Sequence, residues 1–149
     1  MNIKEAADDI RSTLGMLKRE RAGLADRITE MLEQRYNSLS PIFEIMKAHE
    51  IPFRNSLVEG SSDIGLVIGE ENIGDDRRLF VFDGLYVRMI DTKTGRIADD
   101  PISMADFIKT ADLECVRAGF DYVHDLKGTA VKEYAERNRV LKGFLQENE

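Results

Sequence analysis

The segment Arg77–Asp99, RRLFVFDGLYVRMIDTKTGRIAD, leaves the chain the least freedom. Asp83-Gly84 stands between two apolar runs. That pair is the strongest local signal for a two-residue hairpin, because a type I′ turn needs positive φ at both central residues. Asp91-Thr92-Lys93-Thr94-Gly95 supplies a second turn: the Asp side chain bonds backbone N–H groups ahead of it, and Gly accepts a left-handed conformation before the next strand. A three-stranded antiparallel meander is therefore expected. With Asp83-Gly84 as the loop, Phe82 pairs with Leu85, Phe80 with Val87 and Arg78 with Met89. Paired residues share a face. Phe80, Phe82, Leu85, Val87 and Met89 then form a core face, while Leu79, Val81, Tyr86, Arg88 and Ile90 form a mixed one. Ile97 and Asp99 join the mixed face if Asp91 pairs with Arg96, which sets Arg88 opposite Asp99.

Upstream, residues 3 to about 37 read as one helix. Ile3, Ala7, Ile10, Leu14, Leu17, Leu24, Ile28 and Met31 recur at alternating gaps of three and four, a heptad seam with Arg21 and Arg35 at its remaining a positions. Gly15 and Gly23 each cost about 1 kcal/mol relative to Ala. Such a seam serves either a helix packed on its own domain or an arm that pairs with another chain. On the second reading Ile10, Leu14, Leu17, Arg21, Leu24, Ile28 and Met31 are the oligomer interface. Ser40-Pro41 starts a second helix, Ser as cap and Pro in the first turn, and Ile51-Pro52 ends it. The two helices make a kinked rod or a hairpin.

Strands are expected at 53–59 and 64–69, around a turn at Gly60-Ser61-Ser62-Asp63, and Glu70–Asp76 reads as an acidic loop. Asp99-Asp100-Pro101 breaks the sheet. Ser103 and Asp106 make a capping box that opens one helix from 103 to 126. Gly128 ends it and Thr129 caps a last helix to about Leu145, with Val131, Tyr134, Leu141 and Leu145 inward. The fold class is α+β: a single domain with a long N-terminal helical arm (1–50), a small antiparallel sheet of four to five strands (51–100) and C-terminal helices (101–149) packed on one face.

At 149 residues the chain can bury a sizeable core. Its formal charge of −7 argues against direct binding of duplex nucleic acid, which needs a basic stripe. An acidic surface serves solubility, a basic protein partner or nucleic-acid mimicry. The one cysteine, Cys115, excludes a disulfide framework and a cysteine metal site, and it suits a reducing cytoplasm. The charged start MNIKEAADDIRS has no apolar signal region, and no apolar run reaches the roughly 20 residues of a membrane span. A cytoplasmic location without membrane contact is expected.

Residues that carry chemistry are sparse. His49 and His124 are far apart, neither with a metal-ligand pattern beside it. Cys115 lies on an apolar stripe, the setting of an inert thiol. Gly60-Ser61-Ser62-Asp63-Ile64-Gly65-Leu66-Val67 resembles the nucleotidyltransferase strand motif, in which Gly-Ser precedes Asp-x-Asp. Asp63 matches its first carboxylate, but Gly65 stands where the second must help hold Mg²⁺. The acidic loop residues Glu70, Glu71, Asp75, Asp76, Asp99 and Asp100 fit no calcium loop. Arg77, Arg78, Arg88 and Arg96 are the basic group on or beside the sheet, and Arg77, Arg88 and Arg96, with Tyr86, form a candidate ligand site, because Arg offers a planar fork to a phosphate or carboxylate and Tyr a stacking face. Cross-strand ion pairing is the alternative use of the same arginines. No catalysis, metal or cofactor is expected.

This layout, a small acidic chain with a helical arm and a compact antiparallel sheet, resembles phage-encoded counter-defence proteins, both anti-CRISPR inhibitors and nucleotide-signal sponges. The resemblance implies a non-enzymatic homo-oligomer that blocks a host protein with its acidic surface or holds a small anionic ligand, a nucleotide, where subunits meet. An adaptor of a bacterial or phage assembly that uses the arm alone is the alternative, and a degenerate nucleotidyltransferase-like enzyme the third reading.

Overall fold

The protein is described by a computed structural model covering residues 2–149. Helix α1 (Ile3–Ser38) begins at Asn2, whose side-chain oxygen accepts the Glu5 N–H at 2.9 Å. Helix α2 (Ser40–Ala48) follows after one residue, Leu39, so Ser40 is its first residue rather than its cap. Tyr36 and Phe43 lie seven residues apart, about 10.5 Å along a straight helix, yet their ring centroids are 4.7 Å apart. The rod is kinked at Leu39.

Two antiparallel sheets follow. Strands β1 (Phe53–Asn55) and β2 (Val58–Ser62) form a hairpin. Strands β3 (Leu66–Ile73), β4 (Asp76–Phe82), β5 (Tyr86–Asp91) and β6 (Ile102–Ser103) form a four-stranded sheet in chain order. The turn expected at Gly60-Ser61-Ser62-Asp63 is instead the end of β2, and the chain reverses earlier, at Ser56-Leu57, where Asn55 Oδ1 accepts the Leu57 N–H at 2.9 Å. The expected acidic loop Glu70–Asp76 is mostly strand: Ile73 pairs with Asp76 across a two-residue turn at Gly74-Asp75.

The meander is present, with its register shifted. Phe82 pairs with Val87 and Phe80 with Met89. The Asp83 N–H donates to the Tyr86 carbonyl at 3.1 Å, so the two-residue loop is Gly84-Leu85. Gly84 has φ +98° while Leu85 keeps negative φ, the pattern of a type II′ turn, in which Gly takes the first central place. The shift moves each partner by two residues, which preserves the faces. Phe80, Phe82, Val87 and Met89 still share one face, but Leu85 leaves it for the exposed turn.

Both faces of this sheet are covered. Phe82, Val87, Leu66 and Ile68 pack with α1, α2 and the helices that follow the sheet. Val67, Leu79 and Val81, on the face expected to be mixed, pack on Val58 and Phe53 of the β1–β2 hairpin. After β6 the expected helix 103–126 is two: α3 (Met104–Ile108), capped by Ser103, and α4 (Leu113–His124). Asp112 makes the break, because its Oδ1 accepts the Glu114 N–H at 3.0 Å and so caps a new helix. A π-helical turn (Lys127–Val131) leads into α5 (Lys132–Asn148). Thr129 lies within that turn, its hydroxyl donating to the Asp125 carbonyl at 3.1 Å, rather than capping a helix. Helix α5 buries none of its residues, so Tyr134, Leu141 and Leu145, with Val131 just before it, face outward and not inward.

Phe82 is fully buried and Leu85 is 77% exposed. Phe82→Ala should therefore cost about 3–5 kcal/mol, and Leu85→Ala less than about 0.5 kcal/mol, both read from chemical unfolding. Comparable losses at the two positions would place Leu85 in the core and restore the other register.

Candidate functional site

The four residues expected to hold an anion do not converge. Arg77 Nε meets Glu70 Oε2 at 2.8 Å and its Nη2 donates to the Glu59 carbonyl. Arg88 Nε meets Asp83 Oδ2 at 3.1 Å, and its guanidinium lies 5.8 Å from the centroid of the Tyr86 ring. Arg96 is exposed, 4.0 Å from Asp99. Arg77 lies four residues along β4 from Val81, the partner of Arg88, a separation of about 13 Å. Only Tyr86 and Arg88 come together. The expected pairing of Arg88 with Asp99 is replaced by Arg88 with Asp83. The turn sets Asp83 opposite Tyr86, on the face that Arg88 shares, whereas the chain leaves β5 after Ala98 bonds Met89 at 2.8 Å. Arg78, a member of the same basic group, lines a cleft of about 360 Å³ with Arg96, Asp91 and Asp99. Two carboxylates there balance two guanidiniums, so the cleft has no preference for an anion.

Asp83 organises the hairpin tip. Its Oδ1 accepts the N–H groups of Leu85 at 2.9 Å and Tyr86 at 2.8 Å, and its carbonyl accepts the Tyr36 hydroxyl at 3.1 Å. The Tyr36 ring occupies the space a side chain on Gly84 would need. Burial pushes the Asp83 carboxyl up, but the N–H groups of Tyr86 and Leu85 and the Arg88 guanidinium outweigh it and hold it below the ordinary carboxylate range. The tip therefore ties β4–β5 to the end of α1 as structure, with both Arg88 and Asp83 engaged.

Helix α1 divides into two parts. Its packed face is Ala25, Ile28, Leu32 and Tyr36, continued by Leu39. Arg35, expected as a seam position, bonds Asp121 of α4 at 2.6 Å and covers the Phe120 ring at 5.4 Å. Before Ala25 no α1 side chain is buried. Of the expected interface, Ile28 is partly buried within its own domain, and Ile10, Leu14, Leu17, Arg21, Leu24 and Met31 are exposed. A heptad seam drifts by roughly 20° per heptad across a straight helix. At Ile10 and Leu14 the seam lies in line with the packed face, and by Leu24 and Met31 it has turned aside. Helix α5 carries a second exposed stripe, Tyr134, Leu141, Phe144 and Leu145.

Two further clefts open on the body. One, of about 390 Å³, lies between β3 and α3–α4, with Ile68, Phe80, Phe107 and Cys115 in its walls and Glu70 and Asp112 among its lining residues. Burial pushes the Cys115 thiol up, which suits an inert thiol. The other, of about 620 Å³, lies at the α1–α2 kink, where Tyr36, Phe43 and Phe53 meet. Among the described residues no three His, Cys, Asp or Glu side chains gather as metal ligands, and no helix is long and apolar enough to cross a membrane. No protein-family model matches the chain, and no curated protein or solved structure is significantly similar to it.

In the unfolded chain the Asp83 carboxyl takes up its proton near pH 3.9, roughly the ordinary value. The folded form keeps the charge to lower pH, so Asp83 adds stability above that value and loses it as pH falls through the folded value. Between about pH 5 and 2 the wild type should lose stability more steeply than Asp83→Asn in chemical unfolding. Parallel pH profiles would remove Asp83 from the account of the tip.

Proposed function

We propose that this chain is a non-enzymatic binding protein that assembles with copies of itself through the free part of α1, leaving its acidic body to meet a partner. One observation carries the reading. Ile3 is 90% exposed, and Ile10, Leu14, Leu17 and Leu24 lie between 48% and 57%, all on one helix that buries no residue from 3 to 21. That stretch is about 30 Å long and contains Gly15. Helices are marginal in water without packing, so a contact from another chain is what would hold it.

Charge supports the same arrangement and gives it a direction. Residues 25–131 hold 12 basic and 20 acidic side chains, a balance of −8, whereas residues 1–24 hold 5 and 4 and residues 132–149 hold 4 and 4. The arms are near neutral and the bodies repel. Antiparallel arms keep the two bodies at opposite ends, separated by several times the roughly 8 Å over which salt screens charge. A parallel pair would set them side by side.

Within the counter-defence class this favours the inhibitor that blocks a basic protein face over the nucleotide sponge. The acidic balance of the body supports the first, and the scattered, carboxylate-paired arginines give the second no gathered anion site. The same surface also serves an adaptor in the cytoplasm, with the arm as its joint.

The full-length chain is expected to sediment as a dimer at micromolar concentration, the change Leu14→Asp with Leu17→Asp to yield a species near the 16.9 kDa of one chain, and removal of residues 2–21 to yield the correspondingly lighter monomer, each with an unchanged body. A full-length protein that runs as a monomer under those conditions, where an interface of ordinary size holds, would overturn the reading.

A further inference from the structure

The cleft of about 620 Å³ at the α1–α2 kink is used by nothing described so far. Three rings line it: Tyr36 at the end of α1, Phe43 on α2 and Phe53 on β1. Their planes are inclined to one another, 43° between Tyr36 and Phe43 with centroids 4.7 Å apart, and 64° between Phe43 and Phe53 at 5.8 Å. All three are only partly buried, so the corner they form is open to a ligand. Aromatic faces carry negative charge and attract a cation, most strongly where water is excluded.

The charged residues of the same cleft are Glu50, Asp63 and Lys47. Among the described residues neither carboxylate has a cationic partner within 4.0 Å, whereas most arginines of the body have a carboxylate partner. Where the chain sets its own cations over rings, Arg35 covers Phe120 and Arg88 covers Tyr86. Tyr36, Phe43 and Phe53 carry none among the described residues. Lys47 sets one positive charge against two negative ones, within a body whose total balance, these three included, is −8. Glu50 also has φ +54°, the only non-glycine residue in the left-handed region among the described residues. That conformation ends α2, with the Ile51 N–H donating to the Met46 carbonyl at 2.8 Å, and it fixes where Glu50 leaves the helix.

We propose that this cleft binds a basic side chain, the guanidinium or ammonium group of an Arg or Lys presented by a partner protein, with the rings as one wall and Glu50 and Asp63 as counter-charges. The volume admits one long side chain and its backbone, within the usual 300–1,000 Å³ of roughly drug-sized sites. The site deepens the proposed function by naming what the acidic body recognises, and it does not depend on the arms.

The test uses the full-length chain and three probes: a capped Gly-Arg-Gly-Lys-Gly peptide, a capped peptide with Glu in place of both basic residues, and tetramethylammonium. Ring resonances of Tyr36, Phe43 and Phe53 are followed by NMR. The basic peptide should shift them saturably and less at high salt, the acidic one should not, and Glu50→Gln with Asp63→Asn should weaken the basic peptide about fivefold or more. Phe43→Leu, which keeps an apolar side chain at that position, should weaken it likewise. Equal affinity in the carboxylate variant, or no saturable shift at millimolar peptide, would overturn the proposal. Shifts with tetramethylammonium alone would overturn the peptide as occupant and leave a site for a free organic cation. Sedimentation of the same carboxylate variant should match the wild type, which separates this site from the assembly of the arms.

Discussion

Gly119 sets the distance between the helices and the sheet. A methyl group there would overlap the carbonyl oxygen of Val67, so α4 lies with its backbone directly on β3. The buried side chain of Asn55 closes the same joint. Its Nδ2 donates to the Val67 carbonyl at 2.7 Å and to the Cys115 carbonyl at 2.8 Å, and its Oδ1 accepts the Leu57 N–H. A buried amide is costly unless bonded, and this one is satisfied on both ends. One side chain thus ties the β1–β2 turn, the edge of the sheet and α4 together.

The rest of the body follows from that joint. With α4 pressed on β3, Val116, Phe120 and Val123 point into the core beside Phe82 and Leu66. Asp121 then stands where Arg35 reaches it, and this pair, half exposed, works more by aligning α1 than by its energy. Tyr36, one residue on, closes over Gly84 and bonds the Asp83 carbonyl. The second half of α1 is therefore held by α3, by α4 at Arg35 and by the hairpin tip at Tyr36. The first half has no such support, and the boundary between the two at Ala22–Ala25 is where the proposed assembly surface begins.

The kink at Leu39 has a consequence for recognition. It brings Phe43 back onto Tyr36 and leaves an open aromatic corner beside Glu50 and Asp63, in a body already strongly acidic. Asp63 reached notice in the sequence only as half of an incomplete metal motif. Its neighbour in space is an aromatic wall, and that wall comes from three separate elements. The arginines show the converse. Arg77, Arg88 and Arg96 look alike in the sequence, yet each ends beside its own carboxylate, because strand register and turn type decide which acid is within reach.

What the sequence determined by itself were the local, periodic features. The long helix, the meander, the Ile90–Ile97 pairing and the cap at Ser103 depend on residues within a few positions of one another, where propensity and turn chemistry act. It also bounded the charge and the scarcity of chemical side chains. Tertiary structure alone decided the rest. The turn at Gly84-Leu85 was chosen over Asp83-Gly84 with Tyr36 seated against Gly84, and the break at Asp112 let α4 lie separately against β3. The inward stripe expected on α5 found no surface to meet, and the heptad seam of α1 was divided between its own body and solvent. Amphipathic periodicity records that a face is apolar; what covers it depends on elements far away in the chain, whose placement here turns on a glycine and an asparagine that no periodicity marks.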